Sequence, residues 1–401
     1  MADPHWSTAT ADAKPPRLVT PAFLALSAAT LAFFVAAGIM LPVAPQFART
    51  ALGADATGVG FSIGSFAIAS LVLRPLVGWS ADRFGRRPLL IGGAVLTVAA
   101  VVFHLAVADL VTFVVARLLL GAGEGFFFVA ALSAGSDIAP DERRGEAISF
   151  LSLSLYLGIA IGPPIGEAIL RAGSFDLVWM ASAGVALLAA GLTLLIPETA
   201  AVKVSGPRPR APLIHPAGLF PGLVTLLGLW GMAGFLTFLP LHARDVGLAD
   251  AGGPLALYAL IVVGLRVVGA RWPDRFGAAR LSGAALALSA AGLAVVGLVP
   301  TAAGLIGGTA VFAAGVAFTM PALLTLAVSR VPETERGTVV GTTTLFVDLA
   351  FGVAPAVLGL IADRAGYGPT FLVSAVLAAV ASGLLLARRR ALAQPVPAAS
   401  A

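Results

Sequence analysis

Long stretches without a charged side chain are the feature that most restricts how this chain can fold. Residues 281–329 carry no charge over 49 positions, and residues 177–197 carry none either. A helix that crosses a bilayer needs about 20 apolar residues, so the longer stretch holds two such helices, hinged at residues 299–301. Backbone amides in lipid must be satisfied within helices or closed barrels. Because the apolar runs are continuous rather than alternating, they predict an all-α, polytopic membrane protein.

The composition of the whole chain supports this class and divides it into segments. The chain is 59% hydrophobic and 11% charged, whereas soluble domains hold about 25% charged residues. We predict a cytoplasmic tail at residues 1–19, six helices within 20–197, a linker at 198–216, six helices within 217–388 and a second tail at 389–401. The twelve predicted spans lie near residues 20–44, 56–80, 88–107, 110–135, 145–170, 176–196, 217–241, 251–272, 279–299, 301–328, 337–363 and 367–387.

An internal repeat relates the two predicted halves. Residues 82–85 read Asp-Arg-Phe-Gly, and the same four residues return 192 positions later at 274–277. Each copy is predicted to join two apolar helices through a short turn that its glycine makes tight. The same offset aligns the charged segment 140–145 with 332–337, and Pro163 with Pro355. Two independent matches at one offset predict two similar six-helix bundles. Parallel halves of this kind place a substrate site at their interface, near the middle of the bilayer.

The basic residues predict the orientation. With both termini in the cytoplasm, the termini and the even-numbered connections hold 18 of the 25 Lys and Arg residues, and the odd-numbered connections hold four. Basic residues favour the cytoplasmic side, so both termini are predicted there. The Arg-rich, Ala-rich composition indicates a bacterial chain, and therefore a multi-pass protein of the bacterial cytoplasmic (inner) membrane.

Several function classes are excluded by what the chain lacks. It has no cysteine, and its four histidines are scattered, so thiol chemistry and a metal site are not expected. No phosphate-binding loop is present, which argues against ATP hydrolysis. No cluster of polar residues resembles the active site of an enzyme. The high isoelectric point reflects the orientation of the chain in the membrane rather than binding to nucleic acid.

The first copy of the repeated turn carries a recognisable pattern. Residues 78–87 read Gly-Trp-Ser-Ala-Asp-Arg-Phe-Gly-Arg-Arg and resemble the signature loop between helices 2 and 3 of the major facilitator superfamily. The resemblance implies a fold of twelve helices in two pseudo-symmetric bundles, and a latch from this turn to helix 11 near Gly337. A turn that only marks the cytoplasmic face is the alternative. The second copy of the turn has Ala270 in place of the first glycine, which predicts a weaker latch in the second half. The latch residues of the first copy would be Gly78, Asp82, Arg83, Gly85, Arg86 and Arg87.

Three embedded charges are candidates for proton coupling. Residues 117–125 of span 4 resemble a second motif of the superfamily, in which a membrane Arg precedes a glycine-rich stretch, and the resemblance assigns Arg117 to coupling or charge sensing. Glu124 lies two helical turns further on the same face, and charges at this depth normally face a cavity. Asp348 is the one charge between Arg336 and Asp363, and a buried carboxyl suits proton uptake and release. Structural roles for Arg117 and Asp348 remain open alternatives.

Two arginines, Arg74 and Arg266, are related by the repeat and lie toward the cytoplasmic ends of spans 2 and 8. We interpret both as structural residues that reach the interface or form ion pairs there. The repeat also aligns Asp348 with Tyr156.

Span 5 resembles the helix-5 motif of the antiporter branch of the superfamily. Glycines recur every four residues and predict a smooth face for close packing, while adjacent prolines remove backbone donors and bend the helix. Such a bend is predicted to seal the outer end against helix 8, although the same face would suit helix packing in any transporter. The motif comprises Gly158, Gly162, Pro163, Pro164, Gly166 and Glu167, and Glu167 lies close enough to the outer end to reach water.

The predicted function is proton-coupled efflux of small hydrophobic or amphipathic compounds by a protein that acts as a monomer, driven by the proton gradient without a cofactor. The resemblance implies the direction and the coupling. Alternatives are export of a specific metabolite such as a sugar or siderophore, proton symport or import, and, more distantly, ligand sensing. Few polar groups accompany the predicted cavity aromatics, which favours an apolar substrate; these are Phe33, Phe34, Phe126, Phe127, Tyr156, Trp230, Phe235 and Tyr258.

Overall fold

The computed structural model describes residues 18–140, 143–199, 214–269, 272–329 and 331–392. Within these ranges the chain forms α-helices, one short 3-10 turn (His104–Ala106) and no strands. The helices are α1 (Pro21–Met40), α2 (Val43–Thr50), α3 (Ala56–Phe84), α4 (Arg86–Phe103), α5 (Leu110–Ile138), α6 (Arg144–Ala172), α7 (Phe175–Thr193), α8 (Pro216–Asp245), α9 (Gly252–Val268), α10 (Trp272–Phe276), α11 (Ala278–Leu298), α12 (Ala302–Val328), α13 (Glu333–Ala365) and α14 (Tyr367–Leu392).

The helix lengths confirm an all-α polytopic fold. Eleven helical segments of the described residues are long and apolar enough to cross a membrane, and the twelfth predicted span corresponds to the shorter apolar helix α9. The first span is longer than predicted and consists of α1 and α2, which are separated by a turn at Leu41 and Pro42. The 281–329 stretch divides as expected, since α11 ends at Leu298 and Thr301 caps α12.

Glycine allows the sharp turns that the repeat predicts. Gly85 joins α3 to α4 with φ of +93°, and Gly277 joins α10 to α11 with φ of +83°. A side chain is disfavoured in this left-handed region, so both copies of the Asp-Arg-Phe-Gly segment end at a residue that the backbone requires. The prediction of a tight glycine turn is confirmed in both halves.

Side chains of Asp, Ser and Thr cap the N-termini of several other helices. Asp55, Asp109, Ser174 and Thr301 each accept a hydrogen bond from a backbone N–H in the first turn of the helix that follows. These bonds satisfy amide groups that have no partner within the helix. At α5, the hydrogen bonds from Thr112 hold the pKa of Asp109 below its usual range.

The helices pack within each half and then across two repeat-related seams. In the first half (residues 18–199), α1 packs on α6 and α7, and α4 packs on α5. In the second half (residues 214–392), α11 packs on α12 and α14, and α8 packs on α13. Between the halves, α3 packs on α13 and α6 packs on α9. The repeat relates α3 to α9 and α6 to α13, so these two seams are equivalent.

Candidate functional site

The two ends of the helical assembly are named here by their turns. The basic end contains the α3–α4 turn at Gly85, and the far end contains the α13–α14 turn at Gly366. The sequence predicts that the basic end faces the cytoplasm.

Backbone contacts without intervening side chains join α3 and α13 in the half of the seam nearer the far end. A Cβ atom added to Gly60 would overlap the carbonyl oxygen of Pro355, and one added to Gly64 would overlap that of Gly352. A Cβ atom on Gly359 would meet the carbonyl oxygen of Ala56. Small residues allow this approach between membrane helices, and the seam therefore depends on glycine on both sides.

A carboxylate at the far end of the same seam caps a helix of the other half. Asp363 of α13 accepts hydrogen bonds from the backbone N–H groups of Ala56 (2.7 Å) and Thr57 (2.9 Å) and from the Thr57 hydroxyl (2.5 Å). A negative charge is favourable at a helix N-terminus. Asp363 therefore links the halves directly, a role that was not predicted from the sequence.

Replacing Asp363 with Ala is expected to loosen the far end. The lost cap corresponds to about 1 kcal/mol by comparison with other helix N-caps. Cysteines introduced at Thr50 and Ala365 in this cysteine-free chain would carry spin labels, and double electron–electron resonance should show a broader, longer distance. Asp109→Ala is the control, because it removes a cap from α5 that accepts its hydrogen bonds within the first half. Equal changes in both variants would contradict the assignment.

A second polar cluster joins the halves at the far end. Gln46 of α2 donates from Nε2 to Glu167 Oε1 (2.7 Å), and its Oε1 accepts from Nη2 of Arg244 in α8 (2.6 Å). Nearby, Arg171 forms an ion pair of 3.1 Å with Asp250 across the α6–α9 seam. Glu167 is 1% exposed. It is therefore buried within this cluster, and the expectation that it reaches water is wrong.

The glycines of the span 5 motif do form a close-packing face, but its partner is α1. Added Cβ atoms on Gly158, Gly162 and Gly166 would meet Phe34, Gly38 and Ile39 respectively. These glycines therefore pack within the first half. Helix α6 also packs on α9, which is helix 8 of the predicted spans.

An ion pair crosses between the halves near the middle of α13. Arg74 of α3 contacts the carboxylate of Asp348 through Nη2, and its Nη1 donates to the Thr344 hydroxyl (2.8 Å). The Asp348 side chain is 15% exposed and that of Arg74 is 32% exposed. The sequence singled out Asp348 but not this partner, and an ion pair was one of the two roles predicted for Arg74.

The other two candidate coupling residues lie on α5, close to this ion pair. Glu124 is half-buried and lies within electrostatic range of Asp348, Arg74 and Arg117. Arg117 is 8% exposed, and its guanidinium carbon lies 5.0 Å from the centre of the Phe66 ring. Among the described residues Arg117 has neither an ion pair with Glu124 nor a hydrogen bond to a backbone carbonyl. Two carboxylates and two arginines therefore share one region, of which Arg74 and Asp348 are in direct contact.

Arg266, which the repeat relates to Arg74, makes a different kind of contact. Arg266 of α9 places its guanidinium carbon 3.7 Å from the centre of the Tyr156 ring on α6, and its Nε donates to the Ala317 carbonyl (3.1 Å). Arg266 is thus held between Tyr156 of the opposite half and the Ala317 carbonyl of its own half.

Half of the aromatic residues predicted to line a cavity are core residues instead. Phe33 stacks on Phe127 with ring centres 4.0 Å apart, and both are at most 1% exposed. Phe34 and Phe235 are 3% and 0% exposed. These four cannot line an open cavity, and their prediction as lining residues is wrong. Those with some exposure are Phe126, Tyr156, Trp230 and, least of all, Tyr258.

The predicted latch is described only in part. Only the backbone of Gly78, Asp82 and Gly337 is described, and Ala270 lies outside the described residues, so contact with helix 11 stays a prediction. Arg83 lies over Trp79 and Phe84. The other described contacts stay within the first half: Glu198 accepts from the backbone N–H groups of Arg86 (2.9 Å) and Arg87 (3.2 Å), Arg86 reaches Asp137 (3.3 Å), and Arg87 reaches the Leu194 carbonyl (3.1 Å).

No group of three or more metal-binding side chains occurs in the described ranges. The sequence reasoning missed Gln46, Glu198, Arg244 and Asp363, all of which lie near the ends of predicted spans. Their only signal was a polar side chain at the end of an apolar run, which surface residues share.

Comparison with known proteins identifies the architecture. The family model described as Major Facilitator Superfamily matches residues 26–355 and 251–401. The chain belongs to the major facilitator superfamily. An uncharacterized MFS-type transporter of Salmonella typhimurium is 28% identical over 370 residues, covering 90% of this chain and 94% of its own length. One from Burkholderia pseudomallei is 30% identical over 372 residues, covering 90% and 91%.

Solved structures support the same fold at low sequence identity. A bacterial homolog of the human lysosomal transporter Spinster, in an inward-facing and unoccupied conformation, has a TM-score of 0.78 at 17% identity, covering 96% of this chain and all of its own. This facilitator is accordingly a multi-pass membrane transporter of small molecules, and it is not an enzyme. Its bacterial relatives favour the inner membrane.

Proposed function

We propose that this facilitator exports small hydrophobic or amphipathic compounds in exchange for protons, by alternating access at the interface of its halves. The observation that carries the proposal is the ion pair between Arg74 and Asp348, which joins the halves near the centre of the protein. A carboxylate in such a pair loses its attraction for the arginine when it is protonated. Proton binding at Asp348 would therefore weaken one contact between α3 and α13.

Glu124 is suited to act with Asp348. It lies in the same half as Arg74, within electrostatic range of both members of the ion pair. A proton moving between Glu124 and Asp348 would pass from one half to the other. Arg117 is a fixed positive charge close to Glu124, and it would favour the ionised form of that carboxylate once the proton has left.

The far end is proposed as the outer gate, closed in this structure. Three contacts between the halves lie there: the glycine seam of α3 and α13, the Asp363 cap, and the cluster of Gln46, Glu167 and Arg244. The resemblance in fold to an inward-facing structure supports this assignment. In the proposed cycle, loss of these contacts opens the outer side, and the turn at residues 78–87 latches the cytoplasmic side.

The topology belongs to the same proposal. Both termini are placed in the cytoplasm, residues 20–197 and 217–388 form the two moving bundles, and the monomer is the working unit. The charge asymmetry of the connections supports the orientation.

Reconstitution in liposomes tests the function. Protein-containing vesicles with an imposed pH gradient and an internal pH-sensitive dye should show substrate movement coupled to proton movement in the opposite direction. The panel should include cationic, neutral and anionic amphipathic compounds. A double variant, Glu124→Gln with Asp348→Asn, should bind substrate but lose the coupling. If correctly folded protein moves no compound together with protons, the proposal of proton-coupled export is wrong.

A further inference from the structure

The two seams between the halves carry equivalent arginines with unequal partners. The 192-residue offset maps Arg74 onto Arg266, and Tyr156 onto Asp348. The structure brings each arginine to the residue that the repeat predicts: Arg74 contacts Asp348, and Arg266 contacts Tyr156. One seam therefore pairs an arginine with a carboxylate, whereas the other pairs an arginine with a neutral phenol.

Arg266 is left with hydrogen-bonding capacity that the protein does not use. Its Nε donates to the Ala317 carbonyl, but its Nη1 is buried without a hydrogen-bond partner. No carboxylate of the described residues forms an ion pair with it. The Tyr156 ring offsets part of the charge through a cation–π contact. A charge at membrane depth is costly and is normally paired, so the missing partner requires an explanation.

A second unsatisfied donor lies near Arg266. Tyr258, on the same helix α9, is 7% exposed, and its hydroxyl has no hydrogen-bond partner. The hydroxyl lies within electrostatic range of both Arg266 and Tyr156. A buried hydroxyl without a partner is destabilising, and such groups often have a functional reason. Arg266 and Tyr258 together offer a positive charge and a neutral donor to an acceptor that the described part of the chain does not supply.

The balance of charge in this region points the same way. Three arginines lie inside the predicted spans, Arg74, Arg117 and Arg266, whereas the carboxylates that share the region of Arg74 and Arg117 are Glu124 and Asp348. Glu124 lies within electrostatic range of Arg74 and Arg117, and Asp348 pairs with Arg74. The three arginines therefore outnumber the two carboxylates, and Arg266 is the one whose partner across the seam is a neutral phenol.

We propose that Arg266 and Tyr258 bind an oxyanion group of the transported substrate, so that the substrates are amphipathic organic anions. Tyr156 holds the guanidinium in place by stacking on it. This inference rests on the proposed transport function, because it assigns a substrate class to the same interface. It differs from that proposal in the residues it uses, since the coupling carboxylates are Asp348 in the other seam and Glu124 on α5.

A matched set of compounds tests the charge preference. Naphthalene-2-carboxylate, its amide and 2-naphthylmethylammonium share one ring system and differ in charge. Binding to the purified protein in nanodiscs of phosphatidylcholine should follow the order anion, amide, cation. Arg266→Gln should weaken naphthalene-2-carboxylate binding by about tenfold to a hundredfold, as expected for a lost hydrogen bond to a charged group, and should leave amide binding unchanged.

Three further variants separate this role from a structural one. Arg266→Lys should restore part of the affinity for the carboxylate, and Tyr258→Phe should lower that affinity by about threefold to tenfold. Arg364→Gln removes an exposed arginine at the far end and should change nothing. If the wild-type protein binds the amide as tightly as the carboxylate, or if Arg266→Gln and Arg364→Gln behave alike, the proposal is overturned.

An anionic lipid headgroup could supply the same chemistry, and the nanodisc composition distinguishes this source. If phosphatidylglycerol leaves the affinity for naphthalene-2-carboxylate unchanged, the soluble anion is supported. If it abolishes carboxylate binding in the wild type, the site belongs to a lipid and the proposal is wrong. Flux measurements keep the two proposals apart: proton-linked transport of the amide without carboxylate binding refutes only the anion site, whereas Arg266-dependent carboxylate transport without proton movement refutes only the coupling.

Discussion

Asp348→Asn is expected to abolish proton-linked transport while leaving exchange of substrate across the membrane intact. Asparagine keeps the shape of the side chain but cannot ionise, so the ion pair with Arg74 is permanently lost. Breaking a buried pair typically costs about 3–5 kcal/mol, and the partial exposure of Arg74 reduces this toward about 1–2 kcal/mol. Since each 1.4 kcal/mol corresponds to about a tenfold change in an equilibrium, the balance between the two conformations should shift roughly tenfold.

The measurement is proton flux and counterflow in the same liposomes. Asp348→Asn should lose substrate-driven pH change but keep counterflow, which needs no proton. Thr344→Val is the control, because it removes a hydrogen bond to Arg74 and leaves the carboxylate in place. Substrate-driven pH change at the wild-type rate in Asp348→Asn would remove this residue from the coupling mechanism.

Gly64→Val is expected to prevent closure of the far end. A valine side chain at this position would overlap the backbone of Gly352 in α13, and neither backbone has a side chain that can move aside. Overpacking of this kind costs about 1–3 kcal/mol, which corresponds to about a fivefold to 150-fold shift away from the closed arrangement. Spin labels on cysteines at Thr50 and Ala365 should report a longer distance between the halves, and transport should slow.

Gly184 provides the matched control on α7. A Cβ atom added there meets nothing within 4 Å, so Gly184→Val makes the same chemical change in a membrane helix without a clash. Its distance distribution should match that of the wild type. A Gly64→Val distribution that is also unchanged would show that the seam does not require glycine.

Local features of the sequence predicted the fold well. The apolar runs defined the helices, because each span satisfies its own backbone hydrogen bonds and needs no knowledge of its neighbours. The repeated segment predicted both glycine turns, at Gly85 and Gly277, because a short motif sets its own backbone geometry. The break between α1 and α2 was missed, although Pro42 and Pro45 lie beside it.

The sequence singled out the candidate coupling residues but did not predict which residues they contact. Asp348 stood out as an isolated charge, yet its partner Arg74 lies 274 residues away, and only the crossing of α3 and α13 brings the two together. The prediction that the aromatic residues line a cavity was wrong for a related reason. Lipid and protein interior are both apolar, so a membrane helix shows no polar face, and the sequence alone could not separate the buried Phe33 and Phe235 from residues that face a cavity.

The difference between the two seams, Asp348 in one and Tyr156 in the other, can arise from a single base change. Aspartate is encoded by GAT and GAC, and tyrosine by TAT and TAC, so a single base change converts one into the other. The two halves therefore stand one mutation apart at Asp348 and Tyr156. An ancestral duplication with the same residue in both halves would have been symmetric in charge, and one substitution would have sufficed to give each half a different task.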